Sequence, residues 1–374
     1  MKSVSSIYLH FPFCQHLCNY CDFYKHKLES DNQVKQFEDL LDKQFDFQNK
    51  FLSDYNHELG LLKSFYIGGG TPSLWKLRGI DYISKKLQNG ELQLDSDCEF
   101  TIEVDPDTWT EEEIDGWLSI GVNRFSVGSQ AFSDKYIKIM DRTHLLEDVE
   151  KTIKYFSDRG LNYSVDLMLG LPNSEERNIG NEIRDLLKFK PNHISVYILK
   201  TRKNYPLNSV LPDDEKIREE YLEVSKKLTL NGFDHYEVSN FARDGFYSKH
   251  NIKYWNYDSV AGLGPNATGL LVENDKALRY QWKSVTVGVE KEELEGSSLL
   301  IEKLFLGLRF KNRFNPKTLF NKINDHKKLD VLFLKWKDLG YLNQESSSDS
   351  INLSALGYLM CDSLIDDIFK EIDF

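Results

Sequence analysis

Six short runs rich in Val, Ile, Tyr and Phe recur between residues 6 and 199, near Ser6–His10, Ser64–Ile67, Glu99–Val104, Arg124–Gly128, Tyr163–Leu169 and His193–Leu199. Each is followed by a helical stretch; Asn32–Phe51, Leu145–Asp158 and Asp213–Asn231 carry apolar residues at helical spacing. Such runs read as strands, and a period near 3.6 reads as helix. Strands that alternate with helices make βαβ units and a parallel sheet. Six units fall short of the eight that close a TIM barrel. The predicted class is α/β: a partial, open-sided, TIM-like (β/α)6 barrel over residues 1–232. In such sheets the chemistry sits at the carboxyl ends of the strands. Beyond residue 232 the alternation stops. Residues 235–295 read as irregular and 297–374 as mostly helical with short strands. A second, mainly helical α+β domain is therefore expected over 233–374. Asp213-Asp214, after Pro212, reads as a capped helix start.

Thiols and polar groups crowd the predicted strand ends. Cys14, Cys18 and Cys21, three of five cysteines, fall within eight residues after the first strand. Three thiolates are an odd set. A structural zinc site closes with four ligands. A [4Fe–4S] cluster normally ties each of its four irons to a thiolate, so three cysteines leave one iron open. Zinc completed by His10, His16 or His26 is the alternative, although Cys-x3-Cys-x2-Cys is not a usual zinc spacing. Tyr20 precedes Cys21, where a ring covers a cluster, stacks on adenine or simply packs.

The second strand runs into Gly68-Gly69-Gly70-Thr71-Pro72. Glycines let a ligand approach the backbone; alone, they mark a turn. Glu103 ends the third strand, placed to pair with a ligand ammonium or a protein cation. Gln130, and then Arg142-Thr143-His144, follow the fourth strand. Asp166 interrupts the apolar fifth strand, and a buried carboxylate needs a partner: a ribose hydroxyl, Arg142 or another salt bridge. His250-Asn251-Ile252-Lys253-Tyr254-Trp255 offers an imidazole beside flat rings, as an iron–porphyrin site or as core packing. Gly262–Gly269 reads as a turn.

Composition limits the rest. Apolar residues are 40% and charged residues 28%, the profile of a globular protein in water. No stretch approaches the roughly 20 apolar residues of a membrane helix, and no signal peptide is read. Clustered thiols suit a reducing compartment, so a cytoplasmic location is expected. A formal charge of −12 argues against a nucleic-acid partner. Peripheral contact with a membrane is left open.

Together these motifs resemble the coproporphyrinogen-oxidase-like branch of the radical S-adenosylmethionine (SAM) superfamily, and within it the heme chaperone family. The resemblance covers almost the whole chain, in order: the cysteine loop, Gly-Gly-Gly-Thr-Pro, Glu103, Ser-x-Gly-x-Gln, Arg-x-His, Asp-Leu-Met-x-Gly-Leu-Pro and His-Asn-x-x-Tyr-Trp. It implies a [4Fe–4S] cluster on Cys14, Cys18 and Cys21 whose open iron binds SAM. Tyr8, Gly69 and Glu103 correspond to positions that hold this first SAM. Gly70, Thr71, Gln130, Arg142 and Asp166 correspond to positions that hold a second SAM in the oxidase. His250 begins the motif linked with heme. Heme or porphyrin, a heme-acceptor protein and an electron donor are the implied partners.

Phe23 stands where the oxidase usually has a further cysteine, and only seven residues precede Tyr8 where the oxidase has a long extension. Both favour the chaperone. Asp105, Asp141 and Thr268 replace the Asn, Gly and His usual in the chaperones. The expected function is heme binding and delivery. Oxygen-independent coproporphyrinogen III oxidation is the first alternative. A non-enzymatic zinc protein is the second.

Overall fold

Enclosure on both faces explains the apolar runs. In β1 (Lys2–Phe11), Val4, Ile7, Leu9 and Phe11 are fully buried. The computed structural model describes residues 1–311, 314–320 and 322–372. Five further strands lie parallel in sequence order: β2 (His57–Gly69), β3 (Leu94–Val104), β4 (Arg124–Gln130), β5 (Tyr163–Leu169) and β6 (His193–Ile198). These are the six predicted strands.

Helices return the chain between them: α1 (Asp31–Asp54), α2 (Lys76–Gln88), α3 (Glu111–Ser119), α4 (Asp134–Ile139), α5 (Leu146–Asp158), α6 (Ile179–Leu186) and, after β6, α7 (Asp214–Leu230). Each buries one stripe; in α5 it is Val149, Thr152, Ile153 and Phe156. Truncating a ring such as Phe156 to Ala costs about 3–5 kcal/mol. The caps are local. Thr110 accepts the Glu113 N–H at 3.2 Å while Glu113 accepts the Thr110 N–H at 2.9 Å. Asp213 accepts the Lys216 N–H at 2.8 Å, the capped start read from the sequence.

Residues 235–295 are not irregular, which corrects the sequence reading. β7 (Asp234–Glu237) and β8 (Asn240–Ala242) form a hairpin whose second strand pairs antiparallel with β6. β9 (Ala261–Leu263) pairs parallel with β1 at the other edge. One open sheet of nine strands results, ordered β9-β1-β2-β3-β4-β5-β6-β8-β7. It therefore takes strands from both sides of residue 232. β10 (Thr268–Val272), β11 (Lys276–Trp282) and β12 (Val289–Glu295) make a second, antiparallel sheet. Strands of three or four residues leave too little periodicity to read. The remaining helices are α8 (Lys249–Trp255), α9 (Gly296–Gly307), α10 (Ile323–Asp338), α11 (Ala355–Leu359) and α12 (Cys361–Glu371). Their buried residues, Leu304, Trp336 and Ile368 among them, join the same core as Val4 and Ile7. Among the described residues, no helix is long and apolar enough to cross a membrane.

Candidate functional site

The loop after β1 is tied down by a two-residue ladder. Phe13–Cys14 pairs in parallel with His26–Lys27. The His26 N–H donates to Pro12 O at 2.7 Å, and the Leu28 N–H to Cys14 O at 2.9 Å. The ladder fixes Cys14 and closes the loop that carries Cys18 and Cys21. Gly70 lets that loop sit against the end of β2, because a Cβ there would lie 2.5 Å from the Phe13 carbonyl oxygen. The Gly70 and Thr71 N–H groups donate to Phe11 O and Phe13 O, each at 2.7 Å. These two amides hold the cysteine loop; they are not free for a ligand, which corrects one part of the sequence reading.

Glu103 and Asp105, two residues apart, sit in opposite environments. Glu103 Oε1 accepts from the Tyr66 hydroxyl at 2.9 Å, and Oε2 from the Gly69 N–H at 2.9 Å. Burial pushes its carboxyl up to about 7; the Tyr66 bond opposes the rise and the Asp166 charge adds to it. A ligand ammonium arriving here would favour the ionised form. Burial also favours the acid form of Asp105, but Arg142 and His144 outweigh it and hold that carboxyl below its usual range. Arg142 pairs with Asp105 Oδ2, and His144 Nδ1 lies 3.1 Å from Oδ1. Arg142 Nη1 also lies 3.7 Å from Cys18 Sγ.

Burial raises the Cys18 thiol, and Arg142 offsets part of the rise. Burial pushes the Cys14 thiol up to about 11, against a hydrogen bond with Thr71. Thiolates are the ligating form, so metal binding here releases protons. Among the described residues, no three His, Cys, Asp or Glu side chains converge on a single-ion site. A cuboidal cluster instead takes its thiolates on separate irons. The three cysteines opening on one cavity fit that donor set.

Gln130 ends β4 in the left-handed region, φ 66°, at a register shift after Val127. Such strain, of order 1 kcal/mol or more, is kept where the surroundings enforce it. Asp166 is partnered by the Ser126 hydroxyl, 3.3 Å from both carboxylate oxygens, and not by Arg142. Asp141 also has positive φ, 55°. Its Oδ2 lies 3.1 Å from His16 Nε2 and accepts the Asn19 N–H at 3.1 Å, tying the cysteine loop to the end of α4.

These groups open on one cavity of about 570 Å³. Cys14, Cys18, Tyr20, Cys21, Gly69, Gly70, Thr71, Glu103, Gln130, Arg142 and Asp166 all line it. Tyr8 and His250 do not. Tyr8 lies deeper, its hydroxyl 3.0 Å from His10 Nδ1. His250 is enclosed, 2% exposed, with Nδ1 3.0 Å from Ser64 Oγ and its ring stacked 5.1 Å from that of Tyr66. Burial and the Arg124 charge lower its pKa to about 3. The expectation that a heme plane reaches this imidazole is therefore not met in this arrangement. Thr268 starts β10 and accepts from Gln281 Nε2 at 3.4 Å, so the glycine-rich loop joins two sheets.

Sequence reasoning did not assign Tyr66, Asp105 or Tyr197 to the site. Tyr197 lines the cavity from near the end of β6, a signal available from the alternation, and Tyr66 reaches the site through its bond to Glu103. Asp105 meets a partner 37 residues away, and no local pattern marks that.

The radical SAM superfamily model matches residues 8–186. A heme chaperone HemW of Lactococcus lactis is 31% identical over 327 residues, covering 83% of this chain and 83% of that protein. The HemW of Bacillus subtilis is 30% identical over 355 residues, covering 88% and 89%. In fold, the chain is similar to the radical SAM enzyme coproporphyrinogen III oxidase of Escherichia coli, with a TM-score of 0.80 over 99% of this chain and 91% of that one, at 17% identity. Relatives of this identity, matched over most of both chains, settle the family: the chain belongs to the HemW family of the radical SAM superfamily.

Proposed function

We propose that this protein is a heme chaperone: it binds heme and passes it to acceptor proteins, with a [4Fe–4S] cluster and SAM as resident cofactors. One observation carries the reading. Every residue assigned to the cluster or to SAM, Tyr8 excepted, lines the same cavity. Cys14, Cys18 and Cys21 would hold the cluster, with Arg142 beside Cys18 to stabilise its thiolate form. Glu103 would receive the SAM ammonium, and Asp166 and Gln130 present polar groups to the rest of that ligand. A cluster held there would supply an electron to SAM. The protein's own part is to orient the ligand and to shield it: Tyr20 and Met168 wall the cavity, and Phe23, 70% exposed, stands at its rim.

His250 enters this proposal conditionally. For its ring to meet iron, α8 has to swing outward, breaking the contact with Ser64 and the bonds from the Lys249 and His250 N–H groups to Glu99. The test is an anaerobic heme titration of wild type and His250→Ala, followed by a coproporphyrinogen III turnover assay on the same samples. Wild type is expected to develop a Soret band and to leave the porphyrinogen intact, with His250→Ala shifting or weakening the band. Turnover without heme binding would favour the oxidase reading. An unchanged band in His250→Ala would remove that residue as the ligand and leave the chaperone role standing.

A further inference from the structure

A second cavity, of about 260 Å³, shares Tyr197 with the first. One wall is the β7–β8 hairpin, where Glu237 and Asn240 are cross-strand partners. Both are enclosed, at 0% and 2% exposure. Glu237 Oε2 accepts the Ser239 N–H at 3.1 Å. Glu237 Oε1 and Asn240 Oδ1 have no well-formed hydrogen-bond partner, and the Asn240 amide lies close enough to act on the carboxyl as a donor. The facing wall is α8, with Asn251, Tyr254 and Trp255; the Trp255 Nε1–H also lacks a partner. No Lys, Arg or His is among the described residues that line the cavity. Arg309, a cation that acts on Glu237, has its guanidinium 2.6 Å from Asp362.

Buried polar atoms in folded proteins are almost always satisfied, by protein, water or ligand. Three unpartnered atoms belong to residues that line this one cavity, where a ligand can satisfy them. Two neighbouring acceptor oxygens with aromatic faces around them suit a cation, by hydrogen bonds and by the ring quadrupoles. Without a basic side chain the cavity disfavours an anion. Its volume lies below the roughly 300–1,000 Å³ of drug-sized pockets, so a macrocycle does not fit. We propose that this cavity binds a small organic ammonium, held by Glu237 Oε1 and Asn240 Oδ1 and flanked by Tyr197, Tyr254 and Trp255. The Trp255 N–H would take an acceptor on the same molecule, which favours an amino alcohol over a bare alkylamine. Burial has pushed the Glu237 carboxyl up to about 8, and an ammonium supplies the missing counter-charge. The site is separate from the cysteine loop, but its α8 wall also carries His250, whose ring lies 5.4 Å from that of Tyr254, so the site belongs to the closed position of α8 and is tested without heme.

The test uses the full chain as purified, titrated with ethanolamine and in parallel with ethylene glycol and glycolate. Calorimetry and Trp fluorescence report binding. Ethanolamine is expected to saturate in the millimolar range, as suits so small a molecule, and the other two are not. Glu237→Gln, which keeps the shape, should weaken ethanolamine by about tenfold or more. Asn240→Ala should weaken it less. Glycolate binding as tightly as ethanolamine, equal affinity in Glu237→Gln, or no saturation by ethanolamine would each overturn the site. Should Glu237→Gln fail to fold, a wild-type crystal soaked in ethanolamine decides. Density with its nitrogen at Glu237 Oε1 supports the proposal, and a cavity holding only water overturns it.

Discussion

The mouth of the sheet and its interior treat charge in opposite ways. At the mouth, Arg142 meets Asp105 and Cys18, and His144 completes the cluster of contacts. In the interior, the buried Arg124 has no carboxylate within 4 Å among the described residues, and its Nε lacks a partner. His250 is held neutral, with Nε2 equally unpartnered. Paired charge stays ionised when buried, whereas an unpaired imidazole is displaced towards its neutral form. The mouth is thus electrostatically ready for an ionic cofactor. The interior is not, and its polar atoms wait for a ligand, for water or for a movement of α8.

The largest effect should come from breaking the mouth at its thiols. Anaerobically reconstituted wild type should hold about four irons per chain. Cys18→Ala should lose them, while Cys98→Ala, altering a thiol outside the cavity, should keep them. Iron and sulfide analysis decides, and a full complement in Cys18→Ala would end the cluster assignment.

Next comes the ion pair. Arg142→Met strands Asp105 in a buried site and should cost about 3–5 kcal/mol in urea denaturation. Arg124→Met breaks no ion pair within 4 Å, removing only the longer-range attraction of Glu99 and Asp166, and should cost less. If the two losses were equal, the contrast between mouth and interior would fail.

Two buried carboxyls, Glu103 at the mouth and Glu237 in the interior, mark where the contrast ends, because burial raises both. Glu103 and Glu237 have folded pKa values of about 7 and about 8, raised from 4.5 chiefly by burial. The native chain therefore keeps protons that the unfolded chain releases. Their contribution to stability is complete below the unfolded value and is lost as pH rises through the folded ones. Buried His10, His193, His235 and His250 pull the other way below about pH 6.5, because burial lowers them and only the unfolded chain protonates them there. The carboxyl contribution is therefore read as the difference in denaturant midpoint between the cofactor-free wild type and its Glu103→Gln and Glu237→Gln variants, and it should fall between about pH 5 and about pH 8, by up to about 1.4 kcal/mol per pH step of one for each carboxyl. Glu237→Gln should flatten the upper part of that profile. A difference from the Gln variants that stayed flat across this window would show the carboxyls to be ionised in the native state.

Tyr66→Phe should have the smallest effect. It removes one donor to Glu103, costs about 1 kcal/mol, and moves the titration of Glu103 higher. Infrared titration of the carboxyl band, read against Glu103→Gln, would detect that movement, and an unmoved titration would mean that Tyr66 does not govern this carboxyl.

Much of this was legible in the residues. The six parallel strands follow from β-branched and aromatic runs long enough to show their character, and Tyr163–Leu169 is bounded as predicted. Strand order then placed Cys14, Gly69, Glu103, Gln130 and Asp166 at one end without any long-range knowledge. Contacts between distant segments stayed hidden. Arg142 is a natural partner for Asp166 on sequence grounds, yet it meets Asp105, because which carboxylate faces the guanidinium depends on packing. His250 stands beside aromatic residues in the sequence, which is equally true of a ligand and of a core residue; only its bond to Ser64 shows where it sits. β7, β8 and β9 were missed because strands of three or four residues take their identity from the neighbours that they join; β10, β11 and β12 are longer, and the alternation of Leu278, Tyr280 and Trp282 in β11 was there to be read.

The pairing of β9 with β1 sets a schedule for synthesis. Ile7, Tyr8 and Leu9 find Ala261, Gly262 and Leu263 only after some 250 further residues have been made. At roughly 5–20 residues per second, the emerging chain waits on the order of ten seconds to most of a minute with that edge uncovered. An uncovered apolar edge invites pairing with other chains. The first strand made is among the last to be completed, so the nascent protein passes through a period in which it depends on distance from its neighbours, or on the cell's folding helpers, to leave the ribosome unaggregated.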